Sequence, residues 1–166
     1  MKFKLLESLE QDALKYKTPE EFANKHADNV WIHSTDAKNF DKFNTSEVWF
    51  EYDALGGYGD REIAIHYEIK KPFVTSSDEF IHQDFHITAE EARKNKELYH
   101  SWGGEANPES FEKMRKLGYE TLIDDEGFCA LYPNKVTIIA HRAKWKNGDF
   151  DRKGMLIKFW KKAHAK

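Results

Sequence analysis

Alternation of large apolar residues with small or polar residues over residues 63–70 is the feature that most constrains the fold of this chain. Apolar Ile63, Ile65, Tyr67 and Ile69 alternate with Ala64, His66, Glu68 and Lys70. Because successive side chains of a strand point to opposite faces, this pattern predicts a half-buried strand, which Pro72 closes. Any fold proposed for this chain must therefore contain a β-sheet.

The other predicted elements occur as groups of helices and groups of strands. This order distinguishes an α+β fold from a fold with alternating strands and helices. Capping residues and helical spacing predict helices over 2–16, from Thr18 to about Lys25, over 88–99, from Asn107 to Gly118, and from Gly154 onwards. Short apolar runs predict strands at Val30–His33, Val48–Phe50, Glu120–Ile123, Phe128–Tyr132 and Val136–Ala140. This order lacks the regular alternation of strand and helix that builds a parallel sheet. It therefore predicts an α+β fold.

Length and composition favour one folded domain over residues 1–166. The chain is 40% hydrophobic and 33% charged, which is too apolar for a disordered protein. Neither a signal peptide nor a run of about 20 apolar residues is found, so we expect a cytoplasmic protein without a membrane partner. The single cysteine, Cys129, lies in an apolar run, which predicts a buried free thiol.

The distribution of charge sets the C-terminal region apart. Residues 141–166 contain nine lysines and arginines but two acidic residues, whereas the whole chain has a net charge of −3. This basic extension, with Lys158, Lys161 and Lys162 on its predicted amphipathic helix, could dock an acidic protein or a nucleic acid. Alternatively, these lysines complement the dipole of a terminal helix.

Two clusters of polar residues are candidates for chemistry. In a strand, His82, Asp84 and His86 would face one side and could bind a metal, whereas in a polar loop they would only be solvated. The other cluster is the acidic run at residues 124–126, beside two apolar strands. Asp125 and Glu126 could approach a ligand there, or could form a charged hairpin turn with Gly127.

Histidine and aromatic residues near the first strands form a third group of candidates. His33 ends a strand and precedes the hydroxyl residues Ser34 and Thr35. A Gly-rich segment at 56–59 is surrounded by aromatic residues, namely Trp49, Phe50, Tyr52 and Tyr58. Such rings can form a stacking slot for a planar ligand, although an aromatic core strand has the same local sequence.

Five short phrases of the sequence occur in an order typical of one enzyme class. They are Trp31-Ile32-His33-Ser34-Thr35 with Phe40-Asp41-Lys42-Phe43, Val48-Trp49-Phe50, Ile65 to Phe73, Leu117 to Ile123, and Leu131 to Ile138. Over residues 18–140 the chain resembles small phage and bacterial members of the diphtheria-toxin and poly(ADP-ribose) polymerase class of ADP-ribosyltransferases. The resemblance implies a split β-sandwich with flanking helices, and the basic residues 141–166 lie beyond it as an extension.

The resemblance also implies an activity and roles for individual residues. The protein would be an NAD-dependent mono-ADP-ribosyltransferase that uses NAD as its substrate and needs no metal. His33 would bind the adenosine ribose, and Ser34 and Thr35 would shape the turn beside it. The aromatic residues Trp49, Phe50, Tyr52 and Tyr58 would sandwich the nicotinamide. The implied acceptor is a protein, with nucleic acid as the alternative, and the implied setting is a phage effector or anti-defence protein acting on its host.

Two positions depart from the pattern of the class. Trp49 replaces the usual Tyr of the aromatic strand, and Gly127 stands where the catalytic Glu is expected. Either a shift of one residue brings Glu126, or Asp125, into the site, or the carboxylate is missing. In the second case the protein would be a catalytically weak module that binds NAD or a partner. A nucleic-acid-binding protein unrelated to NAD is a further alternative.

Overall fold

The computed structural model describes residues 8–36, 42–43, 45, 47–52, 61–142 and 150–166. Their helices and strands are, in chain order, α1 (Leu9–Ala13), α2 (Pro19–His26), β1 (Val30–Thr35), β2 (Val48–Phe50), β3 (Arg61–His66), β4 (Pro72–Val74), α3 (Glu79–Asp84), α4 (Ala89–Ser101), α5 (Pro108–Lys116), β5 (Thr121–Ile123), β6 (Phe128–Ala130), β7 (Thr137–Arg142) and α6 (Arg152–His164). Short 3₁₀ turns occur at Ala27–Asn29 and Pro133–Lys135. The chain is therefore α+β, as predicted.

The described residues belong to two compact units. The first unit takes its residues from Met1–Asn39, Tyr52–Tyr67 and Thr137–Lys166, and the second from Phe40–Glu51 and Glu68–Val136. The described part of each unit forms one sheet, with strand order β1-β3-β7 in the first and β2-β6-β5-β4 in the second. Among the described residues, no helix is both long and apolar enough to cross a bilayer.

The first unit packs helices α1, α2 and α6 with its antiparallel sheet. Its core cluster comprises Leu9, Ala13, Phe22, Ala23, Val30, Ala64, Leu156 and Ala163. The guanidinium of Arg152 lies over the rings of Tyr52, at 4.2 Å, and Phe150, at 4.7 Å. The Nε atom of Arg152 donates a hydrogen bond to the backbone oxygen of Val30 over 3.2 Å. The Arg152 side chain therefore connects α6 to β1.

The strand at 63–70 forms, but it is shorter than predicted and is buried on both faces. It runs Arg61–His66 and lies between β1 and β7. Ala64, expected on the exposed face, is 0% exposed, and Glu62, which precedes the predicted strand, is 2% exposed. The expected half-burial is therefore wrong, because helices cover the face that includes Ala64.

Two further predictions about local structure are corrected. Pro72 begins β4, which runs parallel to β5 at the edge of its sheet, instead of closing β3. Proline is tolerated as the first residue of an edge strand because no N–H has to be donated there. Helix α1 ends at Ala13, and the amides of Lys15 and Tyr16 make tighter i→i+3 bonds to Asp12 and Ala13.

The second unit packs α4 and α5 on its four-stranded sheet. Its core cluster comprises Phe73, Tyr99, Phe111, Met114, Leu122, Cys129 and Leu131. Cys129 is fully buried with a free thiol, as predicted. Burial raises the pKa of this thiol, so the reactive thiolate is disfavoured.

Candidate functional site

The acidic run at residues 124–126 forms the turn between β5 and β6. Asp124 Oδ1 accepts from the amides of Glu126, at 2.8 Å, and Gly127, at 3.0 Å, and the Asp124 amide donates to the Gly127 oxygen. Gly127 has a φ of +155°, a conformation that side chains rarely adopt. The predicted hairpin turn is therefore confirmed, and Asp124 is the residue that stabilises it.

The two predicted catalytic residues, Asp125 and Glu126, are both exposed on this turn. Asp125 Oδ1 accepts from the amide of Ser77 over 3.3 Å. The Glu126 carboxylate makes no hydrogen bond or ion pair with any residue that the structure describes. Asp124 therefore holds the backbone of Glu126, while the Glu126 carboxylate is exposed and has no partner among the described residues.

Both carboxylates line a cavity of about 460 Å³ in the second unit. Helix α4 and the segment after it provide one side of this cavity, and the acidic turn and Thr75, which follows β4, provide the rest. The lining residues are Thr75, Lys96, Tyr99, His100, Gly104, Glu105, Ala106, Asp124, Asp125 and Glu126. A volume of this size is typical of sites for small molecules.

Local sequence explains how α4 is placed beside the turn. Thr88 caps the helix by accepting from the amide of Glu91 over 3.1 Å. Asn95 Nδ2 donates to the backbone oxygen of Val74 over 3.2 Å, which ties the helix to β4. Since residues three and four apart share a helix face, Lys96, Tyr99 and His100 reach the cavity together.

Burial changes the titration of two groups in the cavity. The pKa of Tyr99 is raised to about 12 by burial and by the nearby charges of Asp124 and Glu126, so its hydroxyl stays protonated at neutral pH. Burial also raises the pKa of Asp124. The backbone N–H groups of Glu126 and Gly127 act in the opposite direction, because they stabilise the charged form of the carboxyl group. The cavity thus combines a neutral phenol with carboxylates.

The predicted aromatic strand lies next to the acidic turn. Strand β2 pairs with β6, which places Trp49 opposite Cys129 and Phe50 opposite Phe128. Phe50 is buried and its ring stacks on Phe128, with 5.6 Å between centroids. Trp49 is partly exposed, and a Cβ at Gly127 would lie 3.9 Å from its Cε3 atom. The second unit therefore brings Trp49 and the acidic turn together.

The other predicted NAD-binding residues lie in the first unit or outside the described residues. His33, Ser34 and Thr35 are partly exposed on β1. Tyr52 is half exposed, and its ring is covered on one side by the Arg152 guanidinium. Tyr58 lies outside the described residues. The roles of all five in binding NAD stay predictions.

The histidine cluster does not form the strand that would align its side chains. His82 and Asp84 belong to α3, and His86 follows that helix with a φ of +53°. His82 Nε2 instead bonds to the backbone oxygen of Ser76 at 2.7 Å. No group of three histidine, cysteine or acidic side chains is arranged to hold a metal ion in the described parts of the chain.

The basic C-terminal helix has the predicted amphipathic form. Lys158, Lys161 and Lys162 are exposed, whereas Leu156 and Ala163 are buried. Within the described ranges, no carboxylate pairs with any of these three lysines. The docking of an acidic protein or nucleic acid to this face stays a prediction.

In both units, the structure shows polar residues with functional or structural contacts that the sequence analysis missed. Lys96, Tyr99, His100 and Glu105 line the cavity, and the i, i+3, i+4 spacing of the first three could have identified their common face. In the first unit, His26 contacts Asp12 and His66, which are far apart in the sequence.

Comparisons with protein-family models, curated proteins and solved structures find no match.

Proposed function

We propose that this protein is an NAD-dependent mono-ADP-ribosyltransferase in which Glu126 is the catalytic carboxylate. The observation that supports this proposal is the proximity of Trp49 to the acidic turn, where the Glu126 carboxylate has no partner among the described residues. These are the aromatic and acidic landmarks that the resemblance assigns to the nicotinamide end of NAD. The proposed fold is accordingly a split β-sandwich.

The reaction requires different properties of Glu126 and Trp49. When the bond between nicotinamide and ribose breaks, positive charge develops on the ribose, as in glycoside hydrolysis. A fixed carboxylate stabilises this charge more strongly in the transition state than in the substrate. The nicotinamide of NAD is cationic, so the partly exposed ring of Trp49 attracts it and binds the neutral product less well.

A catalytically weak NAD-binding module is the second candidate, and Gly127 is the observation that favours it. In the direct register of the class, the catalytic Glu would stand at position 127. A φ of +155° makes a Glu there strained, so the carboxylate comes from the preceding residue or is lost. The two candidates differ in NAD turnover and not in NAD binding.

The first experiment is mass spectrometry of a bacterial lysate after incubation with the protein and isotope-labelled NAD. An adduct of labelled ADP-ribose on a protein supports the proposal, and an adduct on nucleic acid supports the alternative acceptor. NAD that binds in calorimetry without forming an adduct or free nicotinamide supports the weak module. The absence of both binding and adduct would refute both candidates. The proposed setting is the cytoplasm of a bacterial host.

A further inference from the structure

The cavity beside α4 has an excess of negative charge that no internal pairing removes. Four carboxylates line it, from Glu105, Asp124, Asp125 and Glu126, against the single ammonium of Lys96. Within the described residues, Lys96 forms no ion pair, and the carboxylates of Glu105 and Glu126 form neither ion pairs nor hydrogen bonds. The walls therefore favour a ligand with positive charge.

The side chain of Tyr99 is largely buried, but its hydroxyl is accessible and has no partner among the described residues. Tyr99 is only 7% exposed and lines the same cavity. An accessible hydroxyl without a protein partner is open to a hydrogen bond from a ligand or from water. The hydroxyl oxygen can accept a hydrogen bond from a cation.

We propose that this cavity binds the guanidinium group of an arginine side chain from the target protein. A guanidinium is planar, has five N–H donors, and matches the two oxygens of a carboxylate, whereas the ammonium of lysine is a compact and strongly hydrated charge. The arrangement of carboxylates around an aromatic phenol thus suits arginine better than lysine. Glu126 belongs to both the cavity and the turn that lies beside Trp49.

The role of this arginine as the acceptor rests on the proposed function. The bond between the ribose carbon and the nicotinamide nitrogen breaks, and its electron pair leaves with neutral nicotinamide. A guanidinium nitrogen forms the new bond to that carbon and loses one proton, which the Glu126 carboxylate accepts. The products are an ADP-ribosylated guanidinium, nicotinamide and one proton.

Binding is tested in calorimetry with the full chain and without NAD. The probe is a short peptide with a central arginine, compared with the same peptide containing citrulline, its neutral isostere, or lysine. We expect the arginine peptide to bind about tenfold more tightly than either comparison peptide. Equal affinity for citrulline would overturn the charge argument, and equal affinity for lysine would overturn the assignment to guanidinium.

Variants then locate the binding site. Tyr99→Phe, which removes only the hydroxyl, and Asp125→Asn should each weaken binding of the arginine peptide several-fold, roughly the net effect of one hydrogen bond. Lys96→Gln should strengthen it, because the competing cation is removed. Glu109→Gln is the matched control, since Glu109 lies on α5 outside the cavity. Unchanged affinity in both Tyr99→Phe and Asp125→Asn would place the arginine elsewhere and overturn the proposal.

Failure of this inference differs from failure of the proposed function. Arginine-specific binding without labelled ADP-ribose on the peptide or in the lysate upholds the cation site and refutes the transferase. Adducts on other side chains, with no binding of the arginine peptide, uphold the transferase and refute the cation site.

Discussion

The ring atoms His26 Nδ1 and His66 Nε2 lie 2.9 Å apart in the first unit and form a hydrogen bond. On its other side, His26 Nε2 is 2.6 Å from Asp12 Oδ2. The three side chains therefore form a chain of hydrogen bonds that joins α1, α2 and β3. We expect this hydrogen-bond network to make the stability of the unit depend on pH.

Stability should fall as the pH falls from about 6.5 towards 3. Burial, and to a smaller extent the neighbouring His26, lowers the pKa of His66 from 6.5 to about 3. Between these pH values, His66 is protonated in the unfolded protein but stays neutral in the folded protein. Acid therefore favours unfolding. The loss should reach at most about 1.4 kcal/mol per pH unit.

The measurement for this prediction is urea unfolding at several pH values. His66→Gln should reduce the dependence of the unfolding free energy on pH, whatever its effect on stability at pH 7. His164→Gln, which alters an exposed histidine, is the control and should leave the slope unchanged. Equal slopes in all three proteins would show that His66 does not titrate differently on unfolding.

Glu126→Gln should reduce NAD turnover by about 100-fold or more, because it removes the charge that stabilises the ribosyl transition state. Release of nicotinamide is the measurement, and circular dichroism tests the fold. The control is Glu109→Gln, an exposed position on α5. A loss in Asp125→Asn with normal turnover in Glu126→Gln would move the catalytic role to Asp125.

Asp124→Ala should destabilise the protein by about 1–2 kcal/mol, because two backbone amides of the turn lose their acceptor. Asp124→Asn keeps the Oδ1 acceptor and should retain most of the stability. Urea unfolding at pH 7 compares the two variants. If both are equally destabilised, the charge of Asp124 matters more than its hydrogen bonds.

Arg152→Lys should lower the unfolding free energy by about 1–2 kcal/mol. Lysine keeps the positive charge but loses the planar group that lies over Tyr52 and Phe150 and donates to Val30. Lys153→Gln, at the exposed neighbouring position, is the matched control for thermal unfolding. A similar small effect in both variants would show that the stacked guanidinium contributes little.

Local sequence patterns predicted most elements because their causes are local. Thr18, Thr88 and Asn107 accept hydrogen bonds from amides three residues ahead, so these capping residues marked real helix starts. Helix α3 was missed because its six residues have no buried face, and Phe80 within it is 77% exposed.

Candidate residues of the site were predicted only in part. The acidic residues 124–126 and Trp49 were identified separately in the sequence, and only the pairing of β2 with β6 shows that they are neighbours. Tyr99 reads as an ordinary apolar position of a helix. Its place in the cavity follows from how α4 packs on the sheet.

The sequence by itself determined the α+β class, most helix starts and the acidic turn, because capping, periodicity and turn formation depend on residues close together in the chain. Only the tertiary structure decided that β3 is buried on both faces, that Pro72 begins a strand, and that His26 joins Asp12 to His66. Contacts of this kind join distant segments, and they form only when whole elements pack to bury their apolar faces.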